Sequence, residues 1–521
     1  MESYIFNTAT EVFLGLVILL WALYWYLTKE YNFWEKNGVP CKKAVFPFGS
    51  FKDLVLGREH MGDAYAKIYK EFPGERYCGA VELNRPVLVI RDPELVKHIL
   101  IKDFNHFVDR FPFYHNPKES ISQHLFLMNE EDGWRDMRHK LSPAFSSGKM
   151  KHMFLLMLKC SKQLEDYFYK ITENQASVDV KRVFANFTID IIASCAFGVE
   201  TNSLSGSNTE FYQIAVAIFK PTTWMIMKHR IMTVFPSLSK LINIERIAQK
   251  PKKMLHELVS STVKYREENN VCRNDFLDIL IGIKHNRNIL DGTEEENGLK
   301  NNSRITKEEG LTMDQITAQA FIFFAAGFET ASSTLTFCLY ELAHHPEIQE
   351  RLRLELETVL EKHGGEVSYQ ALQDLKYMDQ VVDETLRMYA SLAVIHRRCT
   401  KPYKIPGSDL VLQPGQKIRI PAYALHHDPQ YYPDPDKFDP ERFAPEKVKE
   451  RHPCLHLPFG DGPRNCIGMR FGLMQTKIGL ATFIPKFRVE IAPDTPIPIK
   501  LLPTSFVTQS DRPVTLKVIR R

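Results

Sequence analysis

Hydrophobic and polar positions change their pattern several times along the chain. From Val12 to Leu27 the run VFLGLVILLWALYWYL carries no charge. Such a run predicts a helix that is apolar all round, as a membrane span requires. Its about 16 residues fall just short of the roughly 17–25 that cross a bilayer, and neighbouring positions can extend it. Trp21, Tyr24, Trp25 and Tyr26 suit a membrane–water interface. From about 60 to 100, short strands mix with a helical stretch, and Ala80–Leu83 with Pro86–Ile90 predicts a hairpin around Asn84 and Arg85. From about 130 to 390, helical patterns dominate. Thr312 and Gln315 fit a capping box that opens a long apolar helix, which runs to His345 and ends at Pro346. The polar stretch His285–Gly310 reads as an exposed loop. Beyond about 400, proline and glycine become dense, with short strands at Leu410–Leu412 and Lys417–Ile420. The pattern predicts a mainly α protein with a small β-sheet subdomain. An anchor helix occupies 1–30, a proline- and glycine-rich hinge 31–50, and one large body 51–521.

Composition adds exclusions. The 521 residues are 44% hydrophobic and 25% charged, which suits a globular body rather than disorder or a fibre. With 67 basic against 63 acidic residues the net charge is +4, giving no support for nucleic-acid binding. The nine cysteines are scattered and form no C-x-x-C, which argues against a disulfide framework or a zinc ribbon. Before the apolar run stand Glu2 and Glu11 with no basic residue; after it stand Lys29, Lys36, Lys42 and Lys43. The positive-inside rule therefore keeps the body in the cytosol behind an uncleaved signal anchor.

The segment Phe459-Gly-Asp-Gly-Pro-Arg-Asn-Cys466-Ile-Gly468 carries the most chemistry. Gly460, Gly462 and Pro463 force a tight loop, and Ile467 onward reads as a helix. The Cys466 sulfur then sits near a helix amino end, where free N–H groups and the dipole favour a thiolate. A thiolate is what a haem iron takes from an axial cysteine. Gly468 would let a flat macrocycle approach closely. A lone cysteine there would read as ordinary buried packing. A zinc site from His452, Cys454, His456 and Cys466 has the wrong spacing.

The segment resembles the F-x-x-G-x-R-x-C-x-G signature of cytochromes P-450. All five fixed positions match: Phe459, Gly462, Arg464, Cys466 and Gly468. Inside the long helix lie Ala325, Ala326, Gly327, Phe328, Glu329 and Thr330. Taken alone, Thr330 bonded back to its own helix with Glu329 facing solvent is as good a reading as a functional one. Beside the cysteine loop, the stretch resembles the family's A-G-x-E/D-T oxygen-activation motif. The resemblance implies that Ala326 and Gly327 lie over the haem, that Thr330 hydrogen-bonds dioxygen or its protonating water, and that Glu329 relays protons. Glu384-Thr-Leu-Arg387 and Pro435 to Phe443 resemble the E-x-x-R and P-x-x-F-x-P-x-R-F pieces. They imply a buried triad of Glu384, Arg387 and Arg442 that holds the cysteine loop. Trp134 and Arg138 match the W-x-x-x-R that meets haem propionates, with Arg464, Arg397 or its neighbour Arg398, and Arg110 as further partners.

The resemblance covers nearly the whole chain. Asp103-Phe-x-x-Phe107 and Leu141-Ser-Pro-Ala-Phe145 are similar to the clan of vertebrate family-3 and insect family-6 enzymes. Ala390 departs from the proline common there. The resemblance implies a haem-thiolate monooxygenase that inserts one atom of O₂ into a lipophilic substrate, xenobiotic or endogenous. Electrons would come from NADPH through NADPH-cytochrome P-450 reductase, with cytochrome b5 as a second donor, at the endoplasmic reticulum membrane. No flavin or nicotinamide fingerprint occurs in the chain, so a separate reductase is needed. Arg135, Lys140, Lys149 and Lys151 could dock it, though solvated surface charge explains them equally. Substrate walls would come from 111–126, 211–235, the long helix, Leu392–Ile395 and Ser505–Thr508. They include Phe113, Phe126, Phe219, Trp224, Met225, Met227, Met232, Phe324, Phe328, Leu392, Val394 and Phe506. Trp224–Phe235 could instead dip into the bilayer. A peroxide isomerase or dehydratase, working without reductase, is the alternative; a lipophile carrier or haem sensor is a third.

Overall fold

The computed structural model describes residues 2–110, 119–173, 177–206, 223–235, 249–285 and 310–521, together with 239, 241 and 245. Phe113, Phe219 and most of the predicted polar loop, 286–309, lie outside them. The chain divides into two compact units, one of 1–112 and 393–425, the other of 113–392 and 426–521.

The first unit opens with helix α1, Glu2–Thr28. Its stretch Thr10–Thr28 is long and apolar enough to cross a membrane, and none of it is buried. After it the chain folds back onto a four-stranded sheet. Strands Tyr77–Glu82 and Arg85–Ile90 form the predicted hairpin. The turn comes one residue earlier than the sequence suggests, because Glu82 already pairs with Arg85. Leu83 takes the left-handed conformation, φ 57°, that a two-residue turn demands. Arg85–Ile90 pairs in parallel with Lys417–Ile420, which pairs antiparallel with Ile395–Arg398. Tyr77–Glu82 is thus an end strand of the sheet. Its outer side is covered by the segment that follows α1: the Gly79 N–H donates to the Pro40 carbonyl (2.7 Å), and the Lys42 N–H donates to the Gly79 carbonyl (2.9 Å). Trp34 is buried against the same strand, its indole N–H donating to Ala80 at 2.9 Å. Only a glycine fits beneath it, since a Cβ at Gly79 would lie 2.3 Å from the indole. Below the sheet, Val87, Val89, Ala80 and Cys78 join Ile68, Tyr65, Phe51 and Val394 in an apolar cluster.

The second unit is mainly helical. The helices that build the site are α2 (Trp134–Leu141), α3 (Ser147–Thr172), α4 (Val180–Ile192), α5 (Met313–His344), α6 (Lys376–Met388) and α7 (Met469–Phe483). A three-stranded antiparallel sheet of Ser177–Asp179, Thr515–Arg520 and Phe487–Ile491 closes one edge. Helix α5 packs on α4 and α7. It too is long and apolar enough to cross a membrane, but its apolar window is 72% buried, which marks a core helix. Both halves of the predicted capping box form at Thr312 and Gln315. Pro346 stops this helix and begins the next at its first turn, where a missing N–H costs nothing. Glycine lets the core helices approach: a Cβ at Gly479 of α7 would meet Leu335 of α5 at 3.0 Å.

Candidate active site

The predicted cysteine loop is a closed turn. Gly460 and Gly462 take φ of 67° and 71°, values that side chains resist. The Cys466 N–H donates to the Phe459 carbonyl at 2.9 Å, and Asn465 N–H to Gly462 at 3.0 Å. Helix α7 starts at Met469 rather than Ile467, because Ile467 and Gly468 complete the turn before it. Cys466 stands exposed just ahead of that helix start. Most other cysteines differ in kind: burial pushes Cys78, Cys160 and Cys338 up to about 12, leaving them inert thiols.

Helix α2 braces the loop. Arg138 donates to the Asn465 carbonyl (3.0 Å) and to its side-chain oxygen (2.8 Å). Burial lowers the Arg138 guanidinium, and the nearby Cys466 charge works against that shift. The Arg464 guanidinium lies over the Trp134 ring at 4.6 Å and donates to the Met128 carbonyl. Arg397 belongs to the first unit. It is buried there, and its charge is unpaired with any carboxylate among the described residues; its Nε has no hydrogen-bond partner. Burial, then the neighbouring Arg110, lowers it to about 9. The adjacent Arg398 is instead ion-paired with Asp109.

A second brace comes from α6. Arg387 grips Glu384 with two nitrogens at 2.7 and 2.9 Å, and donates to the carbonyls of His426 and Pro435, each at 2.7 Å. Arg442 Nε reaches Glu384 at 3.3 Å, and the Asp439 N–H donates to it at 2.9 Å. His426 passes this frame to the cysteine loop. Its Nδ1 meets the Arg387 carbonyl at 3.2 Å, while its Nε2 accepts from the Leu457 N–H at 2.9 Å. These two bonds require the neutral ring with the proton on Nδ1. Burial, then the neighbouring His456, His427 and Arg387, holds His426 well below its usual value. A folded pKa below the unfolded one makes this contribution complete above about pH 6.5 and lost as pH falls. His426→Gln keeps an acceptor for Leu457 but cannot be protonated. Its unfolding midpoint is therefore expected to fall less steeply than the parent's between about pH 6.5 and 4.5, the parent losing up to about 1.4 kcal/mol more per unit. Parallel denaturation curves at several pH values measure this, and parallel acid limbs would remove His426 as the titrating group.

On α5, side chains donate to three successive carbonyls. Thr330 Oγ1 donates to Ala326 (2.7 Å), Gln475 of α7 to Gly327 (2.6 Å), and Thr188 of α4 to Phe328 (3.1 Å). Such insertions loosen a helix locally. Ala326 is exposed and Thr330 half-buried on one face. Glu329 points elsewhere and is buried: Lys181 of α4 reaches it at 2.6 Å while also holding Ser333 at 2.8 Å. The back-bonded threonine anticipated from sequence is present, whereas the solvent-facing Glu329 is not. Gly327 also lets α5 approach Ile192, which a Cβ would meet at 2.4 Å.

The apolar candidates divide. Phe126 lies near Phe506, ring centroids 6.2 Å apart, and Phe506 is exposed. Phe328 packs inward on Phe324 at 5.4 Å. Val394 belongs to the core of the first unit, and Leu392 is half-buried in the second. Ala390, despite lacking the family's proline, is buried and its carbonyl accepts from Thr508 at 2.6 Å. Of the basic candidates, Arg135 pairs with Glu130 and Lys140 with Asp136. Sequence reasoning missed Gln475, His426, Asn465 and Lys181. Gln475 had a signal, since a glutamine inside an apolar helix needs a buried partner.

The site thus consists of a closed cysteine turn at the start of a helix whose Gln475 bonds the glycine of a glycine, acid and threonine segment. A family model described as Cytochrome P450 matches residues 39–517. Similar proteins include a probable cytochrome P450 6a14 of Drosophila melanogaster, 39% identical over 94% of this chain and 96% of that one. Cytochrome P450 6a2 of the same species is 38% identical over 98% and 99%, and cytochrome P450 6k1 of Blattella germanica 38% over 96% and 95%. The chain belongs to the cytochrome P450 family and is a P450 monooxygenase. The family implies haem with thiolate ligation, a redox partner and a lipophilic substrate.

Proposed function

We propose that Cys466 is the axial thiolate of a microsomal monooxygenase that oxidises lipophilic small molecules with O₂ and NADPH. One observation carries this: Cys466 is an exposed thiol on a closed turn, and the helix behind it bonds the Gly327 carbonyl through Gln475. The residues present fit a haem. A Cβ at Gly468 would already touch Phe145 at 3.7 Å, so the glycine keeps the backbone beside the cysteine bare for a flat ring. The buried Arg397 charge, unmatched by any carboxylate among the described residues, suits an anionic propionate. Trp134, Arg138 and Arg464 keep their family assignment as propionate-side residues, and Phe459 and Gly468 frame the ligand.

The haem would supply the iron centre at which dioxygen is reduced, with thiolate electron density favouring O–O cleavage. The chain's own residues would manage protons and water. The Thr330 hydroxyl can leave the Ala326 carbonyl by rotating about χ1 and hold a water on the open face of α5. Glu329 can feed that water only by letting go of Lys181. Glu384, Arg387 and Arg442 hold the frame. Phe126, Leu392 and Phe506 would offer apolar contact to substrate, with Phe328 behind them. NADPH-cytochrome P-450 reductase, assisted by cytochrome b5, would deliver electrons from the cytosolic side of the endoplasmic reticulum membrane, where α1 anchors the chain. Lipophilic substrates, xenobiotic or endogenous, are the class.

The test is twofold. The reduced, CO-bound protein should show the red-shifted Soret band of a thiolate, and it should consume NADPH only with reductase present. Turnover of an organic hydroperoxide without reductase or O₂, and no NADPH use, would favour an isomerase instead. No porphyrin in folded protein would end the proposal.

A further inference from the structure

We propose that Gln319 of α5 is a positioning residue that sets substrate selectivity by clamping the loop that carries Phe126. The inference rests on the proposed haem cavity with its lipophilic substrate. Gln319 is fully buried, seven residues before the Ala326 position on the same helix. Its Oε1 accepts from the Leu125 N–H at 3.0 Å, and its Nε2 donates to the Gln123 carbonyl at 3.1 Å. One carboxamide thus satisfies both backbone groups of an irregular segment, as a neighbouring strand would. The segment is built tightly around the clamp. Ser122 is bonded to Glu119 at 2.5 Å, Ile121 is buried, and the His124 ring lies 5.7 Å from Phe321 of α5.

Three residues beyond Leu125, the Met128 carbonyl accepts from Arg464 of the cysteine loop. Phe126 lies between these two attachments, with its ring against Phe506. The loop is therefore fixed at one end to the helix of the oxygen motif and at the other to the cysteine turn. Phe126 inherits its position from both. Gln319 need touch neither substrate nor haem to decide how closely an apolar group can approach. The clamp needs a donor and an acceptor on one side chain: leucine and methionine, of similar volume, supply neither a donor for the Gln123 carbonyl nor an oxygen for the Leu125 N–H.

The first test uses the unsubstituted protein and needs no haem. The Leu125 amide should exchange with solvent at least about a hundredfold slower than an unprotected amide. The second uses Gln319→Leu and Gln319→Met, with imidazole and 4-phenylimidazole as probes read by the Soret shift. Imidazole asks only for an iron ligand position, whereas the phenyl group also asks for the apolar wall. Both variants should keep the thiolate CO band, bind imidazole within about twofold of the parent, and bind 4-phenylimidazole about five- to tenfold more weakly. An unchanged ratio of the two affinities, an equal loss of both, or free exchange at Leu125 would overturn the clamp. Should Gln319→Leu fail to hold haem, Gln319→Met and the parent's exchange rate decide in the same way. Absence of a thiolate band in the parent would instead count against the haem assignment.

Discussion

Arg387→Ala is expected to yield protein that no longer retains haem. The guanidinium makes four charge-assisted bonds in a fully buried setting, two to Glu384 and one each to the carbonyls of His426 and Pro435. Removing one partner of a buried pair costs about 3–5 kcal/mol, because the other charge stays behind without it. That is a large part of the roughly 5–15 kcal/mol by which a folded domain is stable. Arg442 and the Asp439 N–H still reach Glu384, so the figure sits at the lower end of the range. The functional loss exceeds the stability loss. The Arg387 side chain also holds the His426 carbonyl, and losing it loosens the residue whose ring accepts from the Leu457 N–H ahead of Phe459, even though the backbone carbonyl at 387 still meets that ring. Arg387→Lys should recover less than half of the deficit, since an ammonium cannot grip a carboxylate in fork geometry while reaching two carbonyls. The haem-to-protein ratio and a denaturation curve measure both effects. A variant of parental haem content and stability would remove the α6 frame from its assigned role.

Cys466→Ala is expected to do the opposite: fold normally and lose the thiolate spectrum completely. The bond that closes the turn comes from the backbone N–H, which alanine keeps. The cost in stability should stay within about 1 kcal/mol, as for substitutions that open no cavity and orphan no buried group. The reduced, CO-bound Soret band should move to the position typical of a nitrogen or water ligand, or disappear with the porphyrin. A band unchanged from the parent would show that another sulfur ligates the iron. Burial already disfavours Cys78, Cys160 and Cys338 as that sulfur, since each is pushed up to about 12.

What sequence revealed, and what it hid, follows the range of the forces involved. The capping box at Thr312, the stop at Pro346 and the hairpin before Ile90 are local, and local chemistry announces them. The errors were small shifts of register. The hairpin turned one residue early because a leucine, not a glycine or asparagine, took the left-handed position. Helix α7 began two residues late because the cysteine turn used Ile467 and Gly468. The cross-links were hidden. Lys181 to Glu329 and Gln475 to Gly327 each join residues 148 apart in sequence, and no periodicity reports such pairs. Glu329 illustrates the gap: its motif was legible, but the cation that holds it lies on another helix.

The Trp34 seat bears on how soluble forms of the enzyme should be cut. A recombinant chain begun between Thr28 and Phe33 sheds α1 and keeps the indole in its slot. One begun at Ser50 strips Pro40 and Lys42 from Gly79, baring an edge strand whose unpaired amides invite another molecule to add on. Clumping of the shorter product would then report a lost cover, not a failed active site.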